Sequence, residues 1–233
     1  MRAAVAALLL CAHASATTIV AIWTPQKLVI SGDSLVNINW TGEDGLHRHG
    51  TAINCKIRKY GAFYVSAAGN YRIQTAGFDL WEIAARACGD SITIDHCSAR
   101  LTASLRNVLE TAARSQDVHV AVIVAGLDNG APALQHITIV GERGSRLTVN
   151  STPYRRGTAA SARIILGHRD AIDRFERSTA FSNSNLEAEA SSLVRVEEGA
   201  APGDVGGTIS TLTIQPSGER WAHPGCCPAS CRK

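Results

Sequence analysis

Thr17-Thr18-Ile19-Val20-Ala21-Ile22-Trp23 is an apolar run rich in β-branched residues, and Lys27-Leu28-Val29-Ile30-Ser31-Gly32 returns after Thr24-Pro25-Gln26. β-Branched and aromatic side chains suit a pleated surface, and a Pro-centred break between two such runs is a turn. The stretch therefore reads as a β-hairpin. Working outward, residues 41–51 are polar, with three Gly and two His (His47 and His49), and read as a loop. Residues 53–59 and 62–68 form a second hairpin around Tyr60-Gly61, ended by Gly69-Asn70.

Beyond residue 77 the period changes. Phe78, Trp81, Ile83, Ala84 and Ala87 fall on one helical face, and Leu101, Leu105, Val108, Leu109 and Ala112 on another, capped at or near Ser98. Residues 118–126 and 134–140 read as strands joined at Asp128-Asn129-Gly130. Residues 147–150 and 162–166 read as short strands, 169–177 and 186–196 as helices, and 208–214 as a last strand, with a tail from Pro216. Hairpin strands with helices in segregated pairs give an α+β fold rather than alternating βαβ. A helix–sheet–sheet–helix sandwich lets both helix pairs bury their apolar faces.

Length and composition bound what this fold does. One domain is the reading of 233 residues, of which 45% are hydrophobic, enough for a packed core. A formal charge of +3, with scattered basic residues, gives no support to nucleic-acid binding. After residue 20 no apolar run is long enough to span a membrane.

Arg2, an apolar run to Cys11 and then Ala14-Ser15-Ala16 form a secretory signal pattern, with cleavage expected between Ala16 and Thr17. The alternatives are a buried N-terminal helix or a lipoprotein signal at Cys11; Leu10 is bulky where the latter wants a small residue. The expected parts are a signal at 1–16, a domain at 17–215 and a Cys/Pro-rich tail at 216–233, in a secreted or periplasmic protein. Cys55, Cys88, Cys97, Cys226, Cys227 and Cys231 remain after cleavage, an even set in an oxidising compartment. Cys88 and Cys97 bracket a short turn and are the expected pair. No C-x-x-C pair with matched His is present, so no metal is expected. Asn39-Trp40-Thr41 and Asn150-Ser151-Thr152 fit the glycosylation sequon, a pattern that also arises by chance.

Cleavage after Ala16 makes Thr17 the first residue. A Thr hydroxyl is a weak nucleophile until a base takes its proton, and a free α-amine on the same residue is such a base. That amine has an ordinary pKa of roughly 7.7–8.0, so a neighbouring cation is needed to keep it neutral. Lys56 is a candidate cation and Asp33 a candidate carboxylate to hold it. Taken alone, Asp33-Ser34 is a strand-end turn and Lys56 a surface lysine.

Together, Thr17-Thr18-Ile19-Val20-Ala21-Ile22, Ser31-Gly32-Asp33-Ser34, Cys55-Lys56-Ile57 and Ala67-Ala68-Gly69 resemble the proteasome-type N-terminal nucleophile (Ntn) hydrolases. The separation of sixteen between Thr17 and Asp33 matches that family without a gap. Ala125-Gly126-Leu127-Asp128 and Val205-Gly206-Gly207-Thr208 extend the likeness weakly over most of the chain. The resemblance implies a four-layer αββα sandwich and amide hydrolysis through an acyl-enzyme. It implies Thr17 as nucleophile and base, Asp33 as the carboxylate orienting Lys56, Lys56 as the cation, and Gly69 as an oxyanion N–H donor. It implies no cofactor, a peptide or other amide as substrate, and self-association into a homo-oligomer.

The supporting residues depart from the family. Gly167-His168 stands where a Gly-Ser is expected, and His168 reads either as a functional substitute or as a helix-start residue without a role. Near the late Gly-Gly, Pro202 and Val205 replace the expected Asp and Ser, leaving Asp204 as the nearby carboxylate. Ser34, Gly167, His168 and Asp204 are thus supporting candidates. A non-catalytic copy acting as a secreted binding or assembly module is the alternative reading. Gly-x-Ser-x-Gly is absent, and Gly141-Glu142-Arg143-Gly144 reads as a turn, not a phosphate loop.

Overall fold

The computed structural model describes residues 17–41, 46–73, 76–178 and 185–222. The expected signal segment and Cys226, Cys227 and Cys231 lie outside the described residues.

In chain order, β1 (Thr18–Trp23) and β2 (Leu28–Gly32) form the N-terminal hairpin, with Ala21 opposite Ile30. β3 (Leu35–Thr41) pairs with β4 (His47–Ile53) in a separate hairpin. This corrects the loop expected over 41–51, and β3 lies where no element was expected. β5 (Ile57–Tyr60) and β6 (Phe63–Gly69) follow. After the short β7 (Arg72–Ile73) and β8 (Phe78–Asp79) come α1 (Leu80–Cys88) and α2 (Ile94–Ala112). β9 (Val118–Asp128), β10 (Ala131–Gly141), β11 (Thr148–Tyr154) and β12 (Ala162–Gly167) then precede α3 (Asp170–Ser178) and α4 (Leu186–Ala200). β13 (Ser210–Gln215) and β14 (Gly218–Ala222) end the described chain. The tail expected from Pro216 therefore opens with a strand. Its turn is closed by Gly218 at φ +123, a conformation open to glycine, and Trp221 packs edge-on against Tyr64 at 6.0 Å.

Two antiparallel five-stranded sheets result, ordered β12-β1-β2-β13-β14 and β11-β10-β9-β6-β5. The period-two alternation of β1 gives each of its faces a different neighbour. Ile19, Ala21 and Trp23 join Ala121, Ile123 and Ala125 of β9 in the core between the sheets. Val20 and Ile22 pack under Ile172 of α3 and Leu193 and Val194 of α4. On the far side, Val120, Val122 and Val124 of β9 pack under Leu101, Leu105 and Leu109 of α2. The four layers are therefore α3/α4, sheet, sheet and α1/α2. Trp23 ties the sheets together, fully buried, its Nε1 donating to the Pro132 carbonyl at 2.9 Å.

The helices start at local caps. Asp79 accepts from the Trp81 and Glu82 N–H groups, and Thr93, rather than Ser98, accepts from His96. Cys88 and Cys97 are bonded, joining the end of α1 to the first turn of α2 as the sequence suggested.

Candidate active site

Thr17 precedes β1 and continues its pleat, so its side chain falls on the face that Ile19, Ala21 and Trp23 turn toward the second sheet. Asp33 leaves the end of β2 beside it, its N–H donating to the Thr18 carbonyl at 3.3 Å. Lys56 comes from the opposite sheet, immediately before β5, whose Ile57 is packed in the inter-sheet core. The site thus forms at one end of the sandwich, across the seam between the sheets.

Lys56 Nζ donates to Thr17 Oγ1 at 2.6 Å and lies 3.0 Å from each Asp33 carboxylate oxygen. Thr17, Asp33 and Lys56 are 4%, 1% and 3% exposed, so these contacts form almost out of water. Asp33 also accepts the Thr18 N–H at 2.8 Å and the Gly206 N–H at 3.3 Å. Burial pushes the Asp33 carboxyl above its ordinary value, while the Lys56 ammonium and the two N–H donors act in the opposite sense. These three donors hold the charged form in place. The result is a hydroxyl beside a fixed cation, the arrangement that favours an alkoxide.

The other sequence-selected residues frame this trio. Gly69 ends β6 at φ +91, where an added Cβ would meet the His119 carbonyl at 2.1 Å, so only glycine fits. It follows closely on Ala67, which lines the cleft at Thr17. Ser34 Oγ accepts the Thr208 N–H at 2.8 Å, and the Ser34 and Leu35 N–H groups both donate to the Gly206 carbonyl. Ser34 thereby braces the loop that supplies the Gly206 donor. Gly167 holds φ +82, and the His168 N–H donates to the Thr17 carbonyl at 2.9 Å. Thr18 Oγ1 donates to the His168 carbonyl at 3.1 Å. Asp204 Oδ2 stands 4.0 Å from His168 Nε2, outside hydrogen-bond range. His47 and His49 lie on β4.

Several neighbours escaped the sequence reading. Val36, Asn54, Cys55, Tyr71 and Trp81 line the small cleft with Thr17. Arg58 stacks over Trp81 at 4.3 Å and donates to Asn54 Oδ1 at 2.6 Å, stiffening one wall. Asn37 donates to Asp204 Oδ1 at 2.8 Å. Gly206 was visible in the Val205-Gly206-Gly207-Thr208 stretch, but not as a donor to Asp33. The others carry no motif and come together only through the fold.

A wider groove of about 650 Å³ runs between α2 and the β10–β11 edge, lined by Asp95, Thr102, Arg106, Gln135 and Ser151. It shares no residue with the Thr17 cleft and offers no activated nucleophile. Among the described residues no group of His, Cys, Asp and Glu is arranged to hold a metal ion, and no helix is long and apolar enough to cross a membrane.

The fold is similar to that of the Anbu complex from Pseudomonas aeruginosa, solved as a helical assembly. The TM-score is 0.57 at 18% identity, over 85% of this chain and 81% of that one. Neither a family model nor a curated sequence matches the chain. The likeness and the layer order show the proteasome-like αββα sandwich.

Proposed function

We propose that the chain is an exported threonine-type Ntn amidohydrolase, released at Thr17 by removal of residues 1–16. The observation that carries this reading is Lys56 Nζ at 2.6 Å from Thr17 Oγ1, anchored on both oxygens of a buried Asp33. The Cys88–Cys97 disulfide supports an oxidising, extracytoplasmic location. The helical assembly of the Anbu complex supports self-association, which light scattering measures directly.

In this mechanism the free α-amine of Thr17 takes the proton of Oγ1, and Oγ1 attacks the carbonyl carbon of a peptide or other amide. Lys56 keeps the amine neutral and stabilises the developing alkoxide. The Gly69 N–H receives the oxyanion. The C–N bond then breaks, the leaving nitrogen takes the proton from the α-ammonium, and an ester on Thr17 remains. Water next gives a proton to the amine and attacks the ester, releasing the acid and restoring the hydroxyl.

Terminal sequencing of the exported protein, followed by amide hydrolysis by wild type, Thr17→Ala and Thr17→Ser, tests the reading. A chain beginning at Thr17, active in wild type and Thr17→Ser and inactive in Thr17→Ala, is expected. Full activity in Thr17→Ala overturns the nucleophile. A different terminus removes the base, and the binding or assembly module becomes the better account.

A further inference from the structure

The groove of about 650 Å³ between α2 and the β10–β11 edge has the size of a ligand site, and several of its polar groups are idle. Ser98, 5% exposed, lines it from α2, and its Oγ is buried with no hydrogen-bond partner among the described residues. Buried polar atoms nearly always have partners, and a serine inside a helix can bond back to the carbonyl four residues earlier, which this one does not. Gln135, also buried, lines the floor from β10. Its Nε2 donates to Ser151 Oγ at 2.6 Å, which leaves Oε1 as an acceptor. Thr102 adds a hydroxyl one helical turn beyond Ser98.

The chemistry that fits these groups is restricted. The charged residues of the lining answer one another within the protein. Arg106 Nε donates to Glu110 Oε1 at 2.9 Å, and the two Asp95 oxygens accept from Arg155 at 2.7 and 3.0 Å. The groove therefore suits an uncharged ligand that both donates and accepts hydrogen bonds. Its lining holds no aromatic ring, so the apolar face of a sugar finds nothing to stack on. Ala99 and Ala103 keep the flank of α2 low, so a main chain can come close.

Spacing and the neighbouring strand point to polypeptide. Ser98 and Thr102 stand about 6 Å apart along the helix. An extended chain presents like-facing groups about every 6.4–6.8 Å. On the side away from α2 the groove is bounded by β11, an edge strand of its sheet. The other three sheet edges carry charged residues, Arg58 and Lys59 on β5, Arg163 on β12, and Glu219 and Arg220 on β14. Charges on an edge deter the addition of a foreign strand, and β11 carries none.

We propose that this groove binds an extended, uncharged polypeptide segment, laid along β11 and hydrogen-bonded by Ser98, Thr102 and Gln135. Addition of a strand to an exposed sheet edge is a recurring mode of peptide recognition. The site goes beyond the reading of Thr17 and does not depend on it. With Thr17 as nucleophile, the groove gives a polypeptide substrate a second point of attachment that a small amide lacks.

The experiment uses the exported protein, as wild type and as Thr17→Ala, so that turnover contributes no heat in the second. The probe is a heptapeptide of alternating Ser and Val, acetylated and amidated so that its ends carry no charge. Binding is followed by isothermal titration calorimetry, beside the same peptide with Glu or Lys in place of Ser, and beside maltoheptaose. Saturable binding of the uncharged peptide to both proteins is expected, with weaker binding of the charged peptides and none of maltoheptaose. Ser98→Ala and Thr102→Val are each expected to weaken it by about 2–10-fold, the worth of one hydrogen bond. Ala103→Trp, at an exposed position of the lining, is expected to abolish it by filling the groove. Hydrolysis of a small amide should keep its kcat and KM in all three variants. No binding of the uncharged peptide, or a preference for a charged peptide or maltoheptaose, overturns the proposal. So does unchanged binding in the Ser98→Ala/Thr102→Val double variant or in an Ala103→Trp chain shown by circular dichroism to be folded. Groove-dependent binding by a chain that hydrolyses no amide sustains it while the hydrolase reading fails.

Discussion

Replacing Lys56 by Met removes the ammonium and keeps most of the side-chain volume. Asp33, 1% exposed, would retain only the Thr18 and Gly206 N–H donors, at 2.8 and 3.3 Å. Deleting one partner of a buried ion pair costs about 3–5 kcal/mol, because the other charge stays buried without compensation. For a domain of this size each kcal/mol shifts Tm by about 2–4 °C, so a fall of roughly 6–20 °C at neutral pH is expected. Burial already pushes the Asp33 carboxyl up, and loss of Lys56 sends it higher. A carboxyl whose folded pKa exceeds its unfolded value binds its proton more tightly in the folded state. Its penalty is then full above the folded pKa and gone below the unfolded value of about 3.9. The deficit of Lys56→Met therefore narrows as pH falls, and adding Asp33→Asn recovers much of it at neutral pH. Circular-dichroism melts of the three variants between acidic and neutral pH measure this. A deficit that stays constant with pH, or a variant as stable as wild type at neutrality, refutes the buried ion pair as the support of the site.

Gly167→Ala puts a Cβ 1.9 Å from the Thr17 carbonyl in a backbone at φ +82, and should destabilise the fold by about 3 kcal/mol or more in urea unfolding. An unchanged midpoint would show that the strand end tolerates a side chain. Cys88→Ser with Cys97→Ser opens a short loop, with an expected loss of about 2–3 kcal/mol from loop entropy, read as the same loss when wild type melts under reductant. Burial holds the His136 imidazole below its ordinary value, so the unfolded chain takes up a proton first as pH falls below about 6.5 and stability declines with it. His136→Gln should flatten that part of the stability–pH curve, and an equally steep decline in the variant would exclude His136 as its source.

What was legible in the sequence follows the strength of local pattern. β1, β2, β6 and β9 are apolar on one or both faces because each is buried between layers, and that burial is written in runs dominated by Ile, Val, Ala, Leu and aromatic residues. α1 and α2 show their period because only one face of each is covered. β3 and β4 were not legible. They pair with each other outside both five-stranded sheets, and Asn37, Asn39, His47 and His49 have weak strand preference that the pairing overrides. β14 was lost for a related reason, since Gly218, Glu219 and Arg220 at its start are exposed on a sheet edge and carry no alternation.

The site divides along the same line. A Thr placed to become the first residue, with a carboxylate sixteen positions on, is a spacing that a sequence displays. Lys56, between Cys55 and Ile57 and close to Arg58 and Lys59, looks like one of several surface cations, because nothing local marks it as 3% exposed. Its burial follows from the packing of the two sheets, which brings Asp33 and Lys56 together across the seam. Gly167-His168 shows the limit most clearly. The dipeptide fits a strand end or a helix start, and only the pairing of Thr18 with Gly167 places His168 against the nucleophile. Any residue with a Cβ at position 167 would push the Thr17 carbonyl away from the His168 N–H, so the glycine is required by the nucleophile's position as well as by its own φ of +82.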